Sequence, residues 1–212
     1  MVKQVRAART RQSLIRAAAE VFADDGYAMA SLPSISKRAG VSAGALHFHF
    51  ASKDALAREV ESAATNSAEK MAEHCRSTAD TLLQTLVHTT CSLMFAVLTE
   101  PVVRAGFRLG GDPSRRDATG LLQWWSEWVH GLIAQAQAAG ELAEGVSPDG
   151  AAATIVAATV GFEGIGSRDQ DWLSQERMSQ FWAFLLPRLA ASPPYQQAFR
   201  AGGTESSSDA LS

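Results

Sequence analysis

Apolar positions along this chain recur three and four residues apart almost throughout, and no stretch alternates long enough to propose a sheet. The chain therefore reads as helix after helix. Ser31 is placed to cap a short helix whose apolar positions are Leu32, Ile35 and Ala39, with Pro33 in the first turn, where a missing N–H costs little. Gly40 ends it. Ser42 caps a second helix that buries Leu46 and Phe50, and Ser52 caps a third running from about Asp54 to Arg76. Beyond it the spacing predicts a helix from about Thr78 to Leu98, a short one from Pro101 to the Gly110-Gly111-Asp112-Pro113 breaker, and a mobile loop to Asp117. A helix from about Ala118 to Ala139 stops at Gly140, and Ser147-Pro148 opens the next, through Ile155, Val160 and Phe162. The last, near Trp172 to Leu189, is expected to kink at Pro187. Residues 202–212 are small and polar and read as a disordered tail.

The stretch from Ser31 to Lys53 has the form of a helix-turn-helix. Ala43, Gly44 and Ala45 leave the first turn of its second helix nearly bare, so the backbone can approach a groove floor closely. In such a unit the second helix meets base edges in the major groove while flanking groups hold phosphates. His47, Phe48 and His49 project from it, and Lys53 falls at the start of the following helix, where free N–H groups also suit a phosphate. The candidate DNA-contacting set is Arg6, Arg9, Ser31, Ser42, Ala43, Gly44, His47, Phe48, His49 and Lys53.

Charge sharpens this reading. The net charge is −3 over 212 residues, which alone speaks against a polyanionic partner. Its distribution reverses the conclusion. Residues 1–53 carry eight Lys/Arg against three acids, and the remainder carries eleven against nineteen, so a basic N-terminal module sits on an acidic body. A hydrophobic content of 46% suffices for a sizeable core. Cys75 and Cys91 are too few and too dispersed for a disulfide framework or a metal site, no uninterrupted apolar leader follows the basic start, and no run reaches ~18 apolar residues. The expectation is a cytoplasmic protein with no membrane partner.

Other chemistry finds no constellation. Gly40-Val41-Ser42-Ala43-Gly44 matches the letters of a nucleophile elbow, but that motif needs a buried strand before it, and Ile35-Ser36-Lys37-Arg38 is helical and charged. His47 and His49 point roughly 200° apart on a helix and cannot share a metal. The sequence thus implies no enzyme, no metal and no cofactor. The Trp124, Trp125 and Trp128 cluster admits two readings, core packing or a pocket that holds a mostly apolar small molecule between rings. Met94, Phe107, Thr159 and Phe162 are further lining candidates.

Residues 10–57 resemble the tetracycline-repressor (TetR) family of one-component transcriptional regulators. The resemblance is carried by the helix Arg11 to Asp25, Gly26-Tyr27, Ser31 to Ile35, Ala39-Gly40-Val41-Ser42, Gly44-Ala45-Leu46, His49-Phe50 and Ser52 to Leu56. Within the family, Lys3 to Ala7, the string Gly44 to Phe50 and Val103 to Leu109 are similar to the γ-butyrolactone autoregulator receptors of antibiotic-producing actinobacteria. That resemblance implies an all-α chain: a helix-turn-helix domain (1–53), a ligand-binding and dimerisation domain (54–195) and a largely disordered tail (196–212). It implies a homodimer that represses from a near-palindromic, double-stranded operator and lets go when a small-molecule effector binds; the alternatives are a TetR-type activator or an efflux or detoxification regulator, and a small-molecule-binding helical protein without DNA function. It also places Trp125 on the effector pocket, and Trp128, three residues on along the same helix face, joins it as a lining candidate. Two departures stand out: receptors of that branch carry Tyr where this chain has His47 and often Lys where it has Ala43. Ala63-Ala64 stand where an amide would help hold a butyrolactone, which points to a pseudo-receptor with a different ligand. Dimerisation is expected on the two helices after Ser147, through Ile155, Val160, Phe181 and Trp182.

Overall fold

The computed structural model describes residues 2–115 and 120–191. They form nine α-helices: α1 (Val2–Met29), α2 (Leu32–Ala39), α3 (Ala43–His49), α4 (Lys53–Thr78), α5 (Leu82–Thr99), α6 (Pro101–Gly110), α7 (Leu121–Ala138), α8 (Pro148–Gly166) and α9 (Gln175–Leu189). A 3-10 turn, Gln170–Leu173, precedes α9, and a single antiparallel bridge among the described residues, Leu142 with Ala190, ties the α7–α8 link to the end of α9. The expected all-α class holds. The predicted tail, and the part of the predicted loop and helix at residues 116–119, lie outside the described residues.

Local chemistry sets most helix ends. Ser31, Ser42, Ser52, Thr81, Ser147 and Ser174 each accept a backbone N–H of the turn they open. Gly40 closes α2 in the left-handed region at φ 67, and the Gly40 and Val41 N–H groups return to the Lys37 and Ser36 carbonyls. Two boundaries differ from expectation. The first helix begins at Val2 and kinks at Gly26 (φ 77), whereas the apolar pattern shows only from about Arg11. At the other end the expected helix is split, because Ser174 caps a fresh start at Gln175, and α9 runs through Pro187 to Leu189.

Two cores organise the molecule. One gathers Leu14, Phe22, Ile35, Leu46 and Phe50 from the first three helices together with Leu56, Ala57 and Val60 of α4 and Ala105 and Leu109 of α6. The other gathers Leu86, Met94, Val103, Phe107, Leu121, Trp125, Ile155 and Trp182 from α5 to α9, joined by Ala64 and Ala68 of α4. The expected division at residue 53 is therefore a chain boundary and not a packing boundary. α6 belongs to both cores, and it passes so close to α4 that a Cβ on Gly106 would lie 2.5 Å from the Ala64 Cβ. That approach is the physical reason for a small residue at 64, where a longer amide side chain has no room.

Candidate DNA-reading face and effector pocket

On α3 the residues 43, 44, 47 and 48 form one outward stripe, with Leu46 and then Phe50 turned into the core. Ser42, Ala43, Gly44, His47 and Phe48 are all exposed, and Phe48 is 81% exposed with its ring edge-on to His49 at 5.2 Å. Ser31, at the head of α2, is exposed as well. On an outward helix face of a DNA-reading head, a ring such as that of Phe48 can meet a thymine methyl.

The basic residues of the head divide into two groups. Arg11 pairs with Glu59 at 2.6 Å, and Arg38 reaches Glu20 at 3.2 Å and Asp24 at 4.0 Å. These are spent within the protein. Arg6, Arg9 and Lys37 are exposed and make no ion pair among the described residues, so they are the cations free to meet phosphates. Lys53 is placed differently from expectation: its Nζ donates to the carbonyl oxygens of Tyr27 (2.7 Å) and Ala30 (3.0 Å) and lies 4.3 Å from the centre of the Tyr27 ring. It fastens α4 to the end of α1. Lys53→Met should accordingly lower the melting temperature of the protein by the equivalent of ~2 kcal/mol while leaving the salt dependence of DNA binding as it was. Arg9→Ala should do the reverse, reducing the slope of log affinity against log salt by about one phosphate contact. Titration at several salt concentrations beside a thermal melt separates the two.

Farther from the head, α4, α5 and α7 enclose an open cavity of about 400 Å³. Trp124 and Trp128 form one wall, stacked at 6.0 Å, and Ala72, Thr85, Leu132 and Gln135 line it with Glu69, Glu73 and Arg76 at the rim. Trp128 thus lines a cavity. Trp125 lies behind Trp128, its ring stacked on it at 5.3 Å, and is fully buried. Its indole Nε1 has no hydrogen-bond partner, nor has the hydroxyl of the equally buried Thr89. Met94, Phe107 and Thr159 are core residues too, the Thr159 hydroxyl donating to the Ile155 carbonyl at 2.7 Å, and Phe162 packs among Trp172 and Phe181. None of these four lines the cavity.

The expected dimer residues also part company. Ile155 and Trp182 are fully buried inside the subunit, so they leave no surface for a partner, and Phe181 is packed on Phe162 and Trp182. Val160 remains 38% exposed, as are Ile165 on α8 and Phe184 on α9, which the sequence reading passed over, at 43% and 64%. The outer face of α8 is otherwise Ala153, Ala157, Gly161 and Gly164, bare enough for another helix to approach closely.

Glu163 is a residue that spacing did not single out. It is 9% exposed on the inner face of α8, and burial pushes its carboxyl above the ordinary value of 4.5, against the pull of Arg108. A folded-state value raised in this way makes the native state bind more protons than the unfolded chain as pH rises past 4.5, so its stability falls over that window. Glu163→Gln should thus raise the melting temperature at pH 7–8 and lose that advantage near pH 4, below the window. An equal gain at both pH values would mean that the carboxyl is not desolvated.

The family model for bacterial regulatory proteins of the tetR family matches residues 14–60. The A-factor receptor protein of Streptomyces griseus is 32% identical over 200 residues, which is 90% of this chain and 67% of that one. A gamma-butyrolactone receptor described as an ArpA-like protein superposes with a TM-score of 0.76 at 26% identity, covering 92% of this chain and 94% of that one. CprB of Streptomyces coelicolor, solved in complex with its biological operator sequence, gives 0.74 at 28% identity over 92% of this chain and 94% of that one.

Proposed function

Because the chain belongs to the tetR family of bacterial regulatory proteins, we propose that it acts as a homodimeric, effector-released transcriptional repressor of genes for secondary metabolism. The observation that carries this is the outward stripe of Ala43, Gly44, His47 and Phe48 on a head whose free cations are Arg6, Arg9 and Lys37. Each head takes one half-site of a near-palindrome, the half-site centres falling about 34 Å or a multiple apart. His47 and Ala43 set which operator is read, and Ser31 and Ser42 flank the reading stripe near the sugar-phosphate backbone. The partner subunit docks on the bare outer face of α8 and on α9, with Val160, Ile165 and Phe184 at its centre. The reading assigns the chain no catalytic step and sets it in the cytoplasm.

The effector is a small, mostly apolar molecule of the γ-butyrolactone or antibiotic kind, seated against Trp124 and Trp128. The unpartnered indole N–H of Trp125 supports a ligand acceptor reaching past them, since a buried donor without a partner costs about 1–3 kcal/mol and a ligand oxygen would relieve it. Release requires that the effector bind the DNA-free arrangement more tightly than the operator-bound one. Retardation and protection mapping on the intergenic DNA beside this gene test the proposal. A symmetric footprint that titrates with dimer and weakens with salt is the expected result, and failure to retard that DNA at low salt overturns it.

A further inference from the structure

The segment after α6 reads in the sequence as a loose connection, yet it carries one of the most enclosed charged groups in the molecule. Arg115 is 5% exposed at its side chain, and it donates from Nη1 and Nη2 to the two oxygens of Glu61 at 2.7 and 2.9 Å, itself 4% exposed. The same Nη2 reaches Asp54 at 3.5 Å, and Asp54 is shared with Arg58 one turn along α4. The Arg115 guanidinium also stands 5.1 Å from the centre of the Tyr27 ring, which Lys53 touches as well while it holds the Tyr27 and Ala30 carbonyls. One arginine thus joins three parts: the connection into α7, the two buried or half-buried acids of α4, and the corner of the head from which α2 departs.

We propose that Arg115 is the positioning residue that sets the angle of the reading head on the body. The inference rests on the head being an operator-binding unit, and it adds the contact through which α7, the helix bearing the tryptophan wall, bears on that head: Gly120, the N-cap of α7, packs on Glu61 so closely that a Cβ there would lie 3.1 Å from its side chain, and Glu61 holds Arg115. The charge pair is bidentate and shielded from water, so it has one preferred geometry and not a range of them. Ala30 follows at the end of the same corner, one residue before the Ser31 cap of α2. A shift of Gly120 or Arg115 is consequently felt at the start of the helix-turn-helix without passing through the length of α4. Other links between the parts are of a different kind: Arg108 donates to the Ala23 and Asp24 carbonyls and Arg104 pairs with Asp24 at 3.5 Å, which Arg38 of α2 also meets at 4.0 Å, so these half-exposed contacts hold α6 to α1 and α2 and involve no residue of α7.

The test replaces the pair together, Arg115→Met with Glu61→Met, so that no buried charge is left alone. Operator affinity is measured by retardation, dimerisation by sedimentation, and the spacing of the two heads by electron-spin distance measurement from a label at Arg16→Cys, with Cys75 and Cys91 replaced by Ala. The expected result is a folded dimer whose head-to-head distance distribution broadens and whose operator affinity falls about tenfold, a typical coupling magnitude. The exchanged pair, Arg115→Glu with Glu61→Arg, should narrow the distribution again. A distribution and an affinity matching the parent overturn the proposal. If the double variant does not fold, Arg115→Lys decides, because it keeps the charge and loses the bidentate geometry: a broadened distribution supports the proposal and an unchanged one overturns it. If the parent itself retards no DNA, the operator reading fails, and the distance measurement still decides the role of Arg115.

Discussion

Trp125→Ala is expected to cost ~3–5 kcal/mol of stability and to impair folding and operator binding together, whereas Trp128→Ala should leave both nearly intact and blunt release by effector. The difference follows from position. Trp125 is fully enclosed among the residues of the larger core, so its truncation leaves a cavity that α4, α5 and α7 cannot close. A loss of that size is a large share of the ~5–15 kcal/mol by which a domain is stable. Trp128 is half-buried on the cavity wall, and removing it takes away ligand surface more than core. Trp125→Phe adds a third arm, since it keeps most of the ring volume and deletes the unpartnered N–H. Without effector it should be close to neutral, because the lost packing is offset by the removed orphan donor. With effector it should respond weakly if a ligand oxygen uses that donor. Thermal melts beside retardation with and without effector separate these outcomes. A Trp125→Ala protein that melts like the parent yet ignores effector would move the residue from core to pocket wall.

Gly106→Ala is expected to lower stability by about 2 kcal/mol and to weaken operator binding, although alanine is the better helix former by about 1 kcal/mol. The added methyl would meet the Ala64 Cβ at 2.5 Å, roughly an ångström inside ordinary contact, and neither group has a rotamer through which to yield. Leu121 closes the other side at 3.1 Å. The helices α4 and α6 must separate, and both cores share that separation. Ala64→Gly in the Gly106→Ala background should recover most of the loss, a non-additive result expected only of groups in contact. Additive effects of the two changes, read from denaturant midpoints, would show that the close approach is not what limits the position.

The helix-turn-helix was legible because everything that forms it is local. Ser31, Gly40, Ser42 and Ser52 cap or end helices within four residues of themselves, and Leu46 and Phe50 declare their face by spacing. The same holds for the starts at Pro101 and at Ser147-Pro148. What spacing could not give was the partner of a long polar side chain. Lys53 reads as a phosphate ligand until the carbonyls of Tyr27 and Ala30 arrive from 26 and 23 residues away, and Arg115 reads as a loop residue until Glu61 arrives from 54. Apolar residues misled in the opposite sense. Ile155 and Trp182 looked like surplus for a second subunit because a helix seen alone cannot reveal how many neighbours it has, and inside this subunit they are already fully covered. The basic start of α1 carries too few apolar residues to advertise a helix, though it is one from Val2.

The double allegiance of α6 has a consequence for anyone who wishes to exchange reading heads between regulators of this kind. A fragment ending where the chain leaves the helix-turn-helix would expose Leu56, Ala57 and Val60 or lose them, and in either case would lack Ala105 and Leu109, which arrive from the far side of α5. A transplanted head will therefore carry its specificity intact only if one face of α6 travels with it, as a patch of substitutions at Arg104, Ala105, Arg108 and Leu109 grafted into the recipient's own helix. The unit of inheritance here is a surface and not a segment.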